Sequence, residues 1–170
     1  MKKVYAIVAM LTLAVTAFAQ SARDIYNKYS DLPGMSAVYV SPAMFRMIGK
    51  LPDVDIQDDK VNFGSVIKSM SGFYLLSAEG NPDAGKDLYS EVSRLMNKGI
   101  YELLLEAKED GEATRLYTIG DEKYVTALVM LTRSGDDVTY ISIDGKMDRG
   151  KLEELLAESA ADDPDGNLLQ

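Results

Sequence analysis

The feature that most constrains the fold is a series of four β-rich runs in the second half of the chain, joined by short spacers. The spacers hold four residues each and consist mainly of Gly, Asp, Glu and Ser. The runs are Ile100 to Lys108, Ala113 to Ile119, Tyr124 to Arg133 and Val138 to Asp144. Connections this short force neighbouring strands to be antiparallel. The sequence therefore predicts a four-stranded antiparallel meander, with the third run inside the sheet because both of its alternating sets are apolar.

The first half of the chain favours helices and short strands. Helices are predicted at Ala22 to Tyr29, from Ser41-Pro42 to Leu51, around Ser65 to Lys68, and from Pro82 to about Lys98; strands are predicted at Met35 to Val40 and Phe73 to Ala78. In the second helix, Met44, Met47, Ile48 and Leu51 have the spacing of a buried face. A last helix, from about Asp148 to Glu158, closes the domain. The fold class is α+β: N-terminal helices and short strands, then the meander, then the closing C-terminal helix.

The N-terminus has the layout of a secretory signal peptide. Lys2 and Lys3 precede an apolar run from Val4 to Val15, and Ala17-Phe18-Ala19 forms a small-x-small cleavage site before Gln20. The run is too short for a membrane span, which needs about 20 apolar residues. We expect a signal peptide at 1–19, one α+β domain at 20–158 and an acidic disordered tail at 159–170. Cleavage near Ala19/Gln20 would release a periplasmic or secreted protein.

The composition excludes several kinds of chemistry. The chain has no His, Cys or Trp, which rules out disulfides, thiol nucleophiles, zinc–thiolate sites and a Ser-His-Asp triad. It also rules out a lipid anchor on cysteine. The net charge of −9 becomes −11 once the two leader lysines are removed, because 16 Lys+Arg then face 27 Asp+Glu. That charge argues against nucleic acid as a partner, and no cofactor is predicted.

An acidic stretch is the best candidate for a metal site. Its carboxylates, Asp53, Asp55, Asp58 and Asp59, could hold Ca²⁺, which needs clustered oxygen ligands. The stretch departs from the EF-hand pattern, which would place Gly at Asp58 and Glu at Gly64. A solvated acidic loop is the commoner structure for such a sequence.

Two arrangements could carry catalysis. Ser65 and Lys68 match the S-x-x-K pattern of serine acyltransferases, although the companion motifs are absent and about one match is expected by chance. Glu102 and Glu106, on one face of a predicted strand, could act as an acid and base pair in glycoside hydrolysis. Neither this pair nor the helix acids Glu153 and Glu154 lie in a sequence context that indicates a cleft.

The methionines and tyrosines could instead form a binding surface. Met44, Met47, Met96 and Met130 all fall at predicted core positions, so packing is the simpler explanation for them. The nine tyrosines beyond the leader suit the margin of the core, and a sheet face with several of them exposed would bind a partner.

The second half of the chain resembles the family called domain of unknown function 4252. The resemblance rests on Tyr101 to Gly111, Arg115 to Gly120, Val125 to Leu131 and Ile141 to Asp148, together with Val40 to Ile48 and Gly72 to Ser77. It implies a small exported α+β domain, of a kind found mainly in Bacteroidetes, and it supplies no catalytic residue. Many relatives carry a lipid-anchored cysteine, which this chain lacks.

Three hypotheses follow from the sequence. The first is a non-enzymatic exported domain that binds a protein, peptide or envelope component through its sheet or a Met/Tyr-rich surface. The second is a hydrolase that uses carboxylates or Ser65 and Lys68. The third is a cation-dependent structural or adhesion module.

Overall fold

The computed structural model describes residues 21–48 and 63–154. Three predicted features lie outside the described residues: the signal peptide at 1–19, the calcium ligands Asp53, Asp55, Asp58 and Asp59, and the tail at 159–170. The described helices are α1 (Ala22–Tyr29), α2 (Pro42–Ile48), α3 (Phe63–Ser69), α4 (Pro82–Met96) and α5 (149–154). The strands are β1 (Ser36–Val40), β2 (Met70–Ser77), β3 (Glu102–Glu109), β4 (Glu112–Gly120), β5 (Tyr124–Ser134) and β6 (Asp137–Asp148).

The predicted meander is present, but it forms only part of a larger sheet. All six strands join in the order β1-β2-β6-β5-β4-β3, and each neighbouring pair is antiparallel. The two short strands of the first half extend the meander at β6. The α+β class is thus confirmed, but the sheet has six strands where the sequence predicted a separate four-stranded meander. Local turn signals do not show that β2 pairs with β6. As expected from its composition, β5 lies inside the sheet.

Local sequence explains how the elements begin and turn. Ser21 accepts a hydrogen bond from the backbone N–H of Asp24, and the Asp24 side chain returns one, which makes a capping box at the start of α1. Asn81 caps α4, with Pro82 in the first turn. The β3–β4 hairpin turns at Asp110 and Gly111, whose φ angles are 43° and 91°. Positive φ at both central residues is typical of a type I′ hairpin turn.

Helices α1 and α4 cover one face of the sheet, which we call the covered face. Leu88, Val92 and Leu95 of α4 pack there against Leu131 and the strand residues around it. Further buried members of this core are Ile25, Tyr29, Leu76, Val129, Val138 and Tyr140. A smaller second core, of Val66, Val125, Met147 and Leu152, joins α3 and α5 to one end of the sheet.

Helix α2 buries a different face from the one predicted. Ser41 caps it, since its hydroxyl accepts a hydrogen bond from the Met44 N–H at 3.3 Å. Phe45 is buried, whereas Met44 is 48% exposed and Met47 is 66% exposed. The apolar residues of this helix point in several directions, so their spacing alone does not decide which of them contact the sheet. The ring of Phe45, and not a methionine side chain, therefore lies on the buried side of α2.

Candidate functional site

Most of the predicted catalytic and metal-binding residues fall outside what the structure describes, so these sites stay predictions. Lys68 lies exposed on α3, three residues after Ser65, whose side chain is outside what the structure describes. The four candidate calcium ligands also fall outside it. Among the described residues, no group of three acidic side chains is placed to hold a metal ion.

The carboxylates Glu102 and Glu106 lie on opposite faces of the sheet, which corrects the prediction that they share one. A register shift between Leu103 and Leu105 inserts an extra residue into β3. Glu102 thus pairs with Thr118, while Glu106 pairs with Arg115. Arg115 Nε donates to Glu106 Oε1 at 2.7 Å, and Lys108 Nζ lies 2.9 Å from the other oxygen. These two cations lower the pKa of Glu106, which suits an ion pair and not a general acid.

The most unusual surface of the molecule is the sheet face opposite α1 and α4, which we call the open face. One line of register crosses all six strands of this face and places an apolar side chain at every position. In strand order, this apolar row is Val38, Leu75, Ile141, Met130, Leu116 and Leu105. Val38 and Leu105 at its ends are 47% and 46% exposed, and the four residues between them are half-buried.

Uncharged polar residues border the apolar row on one side. The next row contains Thr139, Thr132 and Thr114 at its centre, in adjacent strands. All three are half-buried, and the hydroxyls of Thr114 and Thr132 lie 3.1 Å apart. On the other side, Leu128 and Ile143 pack against the second core, which covers that end of the face. The open part of the face therefore combines an apolar strip with a strip of hydroxyls and carries no charge at its centre.

The edge strand β3 carries exposed leucines: Leu105 belongs to the apolar row, whereas Leu103 pairs with Tyr117 of the covered face. Leu103, Leu104 and Leu105 are 49%, 41% and 46% exposed, and β3 pairs only with β4. An unpaired edge with exposed apolar side chains is a surface on which another chain can pack. Acidic residues and the register shift limit its pairing with unrelated strands.

The dimensions of the open face can be estimated from strand geometry. Six strands about 4.8 Å apart span about 29 Å, and the two or three rows involved span about 14 to 20 Å along the strands. The face thus offers about 400 to 600 Å², which is as large as the largest apolar patch on a typical monomer. A partner covering it would bury about twice that area, the size of a small specific interface.

Tyrosines occupy the covered face instead. The rings of Tyr26, Tyr39 and Tyr74 form a cluster with centroids 5.1 to 5.9 Å apart, and Arg23 lies over Tyr39. Burial raises the pKa of Tyr74, and the nearby carboxylate of Asp144 adds to the shift. Only Tyr39 at the sheet edge is substantially exposed, at 37%. Tyr39 and Tyr74 of the sheet therefore pack against Tyr26 of α1 and do not form a broad exposed surface.

Asp144 is a carboxyl group of the sheet whose pKa is raised. Burial raises its pKa, and a hydrogen bond from the Ser142 hydroxyl at 3.2 Å opposes that shift. Tyr101 and Tyr140 near it also have raised pKa values, mainly because they are buried. The group lies in the margin of the main core.

Sequence reasoning missed the open face because its residues are spread over all six strands. Each of the six apolar positions fits an ordinary strand pattern, and the face that the described helices α1 and α4 cover is decided by the tertiary structure. The available signal was the third run of the meander, which is apolar on both of its alternating sets.

The comparisons with known proteins identify a family and no activity. A family described as "Domain of unknown function (DUF4252)" matches residues 29–155. No curated protein matches the chain. One similar solved structure is the crystal structure of the "putative lipoprotein LppA" from Mycobacterium tuberculosis, at 13% sequence identity and a TM-score of 0.33, covering 82% of this chain and 78% of that one. In the described part of the chain, no helix has the length and apolar character that crossing a bilayer requires.

Proposed function

The chain belongs to the DUF4252 family, and we propose that it is an exported, non-enzymatic domain that binds a partner protein through the open face of its sheet. Export rests on the signal-peptide pattern at 1–19. Binding rests on one observation, the apolar row that crosses all six strands without a covering element among the described residues.

Charge supports a protein partner over a membrane surface. The chain has a net charge of −9, so an anionic bilayer would repel it at long range. The centre of the open face carries no charge, so a partner can approach it closely without burying an unpaired carboxylate there. Its threonine hydroxyls can donate and accept hydrogen bonds, which a folded protein or an extended peptide can match and a hydrocarbon layer cannot.

Two methionine-to-lysine substitutions give a matched test. Met130 lies in the middle of the apolar row, whereas Met47 lies exposed on α2 and is not one of the six residues of that row. Met130→Lys places a charge in the centre of the proposed interface, and Met47→Lys makes the same chemical change elsewhere. Circular dichroism first checks that both variants keep the secondary structure of the wild type.

The three proteins serve as bait for partners from the native envelope, and each captured partner is then purified and titrated by calorimetry. We expect a partner that binds the wild type and Met47→Lys with equal affinity and Met130→Lys at least tenfold more weakly. Equal binding by all three proteins would refute the proposed surface. Light scattering adds one further arm: a wild-type dimer that Met130→Lys dissociates would make a second copy the occupant, in place of another protein.

A further inference from the structure

The covered face holds a cavity at the end of the sheet where α4 begins. Its lining includes charged residues, unlike the apolar row. Its volume is about 210 Å³, and its walls come from α4 and the β5–β6 hairpin. The lining residues are Lys86, Tyr89, Arg133, Gly135, Asp136 and Val138. Gly85 lets the helix sit close to the hairpin, because an added Cβ would lie 3.3 Å from the Asp136 carbonyl oxygen and 3.2 Å from the Ala78 Cβ.

Arg133 is an exposed residue whose guanidinium is held in place at the wall of this cavity. Its Cζ atom lies 5.5 Å from the centroid of the Tyr89 ring, and its Nε donates to the Gly135 carbonyl oxygen at 3.1 Å. Tyr89 is fixed in turn, since its hydroxyl accepts a hydrogen bond from Arg115 Nη1 at 3.0 Å. A stacked guanidinium with one nitrogen occupied still presents its two terminal nitrogens for a bidentate contact.

Neither cation of the cavity is neutralised by an ion pair within the described residues, whereas four cations elsewhere are. Lys28, Lys108, Arg115 and Arg149 each form an ion pair. Among residues 21–48 and 63–154, neither Lys86 nor Arg133 has a carboxylate oxygen within 4.0 Å. The whole chain has 27 acidic residues and only 18 basic ones. The lining of the cavity has the opposite balance, with two cations and one carboxylate, Asp136.

We propose that this cavity binds the carboxylate of a small organic monoanion. Arg133 takes the two carboxylate oxygens through its terminal nitrogens, and Lys86 adds a second positive charge. The Tyr89 ring and Val138 supply apolar walls for a short tail. Asp136, also in the wall, disfavours a dianion such as phosphate by like-charge repulsion. The site is independent of the open face, so it can exist whether or not that face binds a protein.

Nuclear magnetic resonance titration of the ¹⁵N-labelled, purified protein tests the proposal. The probes are sodium butyrate, inorganic phosphate and sodium chloride, all at one ionic strength. We expect butyrate to produce saturable shifts of the Lys86, Tyr89 and Gly135 amides, with phosphate at least fivefold weaker and chloride without a saturable effect. Equal, unsaturated shifts with all three salts would show an adventitious ion only and would overturn the proposal.

Two substitutions locate the binding. Arg133→Gln removes the proposed anchor, while Arg23→Gln removes an arginine that also lies over a tyrosine ring, at 5.8 Å, outside the cavity. We expect butyrate affinity to fall at least fivefold in Arg133→Gln and to stay unchanged in Arg23→Gln. Lys86 is exposed, so Lys86→Gln gives a second loss of affinity without a risk to folding. Unchanged affinity in both cavity variants would contradict the assignment.

Discussion

Replacing Tyr29 with Phe should measure the strength of a buried link between α1 and α4. The Tyr29 hydroxyl donates to Glu91 Oε2 at 2.6 Å, and Lys28 Nζ contacts the same oxygen at 2.5 Å. Glu91 is only 6% exposed and Tyr29 only 3%. A buried carboxylate that loses one donor is poorly solvated, and hydrogen bonds to charged groups contribute about 1.5 to 3 kcal/mol. We therefore expect Tyr29→Phe to lower the free energy of unfolding by about 2 kcal/mol at pH 7.

For a chain of this size, a loss of about 2 kcal/mol corresponds to a fall in Tm of about 4 to 8 °C. Urea and thermal denaturation, followed by circular dichroism, measure both quantities. Tyr39→Phe is the matched control: its ring is partly exposed, and removing a hydroxyl that water can reach should cost less than about 0.5 kcal/mol. Equal losses in the two variants would refute the idea that the hydroxyl of Tyr29 matters through Glu91.

The difference in the free energy of unfolding between the wild type and Tyr29→Phe should also depend on pH. Burial, and then the hydrogen bond to Glu91, raise the pKa of Tyr29 above its usual 10.0. The folded state thus holds this proton more tightly than the unfolded state, so the stabilisation is complete below pH 10 and declines as pH rises beyond it. One pH unit removes about 1.4 kcal/mol. The difference between the wild type and Tyr29→Phe should shrink from about 2 kcal/mol at pH 7 to below about 1 kcal/mol at pH 11, and an unchanged difference would contradict the linkage.

Two further substitutions test the sheet, and a third, in a helix, serves as a control. Burial raises the pKa of Asp144, so its ionised form destabilises the fold at neutral pH; Asp144→Asn should raise Tm at pH 7, and the gain should vanish near pH 3.5, where the carboxyl is protonated in both states. A gain that persists in acid would show another cause. Gly120→Ala should destabilise by about 2 kcal/mol or more, because the new Cβ would lie 2.2 Å from the Tyr124 carbonyl oxygen. Gly150→Ala, in a helix and with its nearest atom 3.4 Å away, should be neutral or stabilising under the same denaturation assay.

Much of the fold was predictable because its signals are local. The hairpin turn at Asp110 and Gly111 and the antiparallel order of the meander each depend on a few neighbouring residues. Short connections leave a strand little choice of partner. These parts of the prediction are confirmed.

The errors arose where distant residues compete for the same space. The inner position of α2 went to Phe45 and not to the methionines, and the extra residue in β3 separated Glu102 from Glu106. A one-residue shift reverses the face of every following side chain, and no local pattern at Leu104 indicates that shift. The prediction of a catalytic carboxylate pair was affected most, because Glu102 and Glu106 could act together only from the same face of the strand.

The sequence by itself determined the signal-peptide pattern, the chemistries excluded by the missing His and Cys, and the antiparallel meander, because composition and short turns act locally. Only the tertiary structure decided that β1 and β2 extend that meander to six strands and that helices α1 and α4 occupy the same face. The apolar row exists because six strands align side chains that lie up to 103 positions apart in the chain, from Val38 to Ile141. Such an alignment is set by long-range pairing and helix packing, which are collective properties of the folded chain.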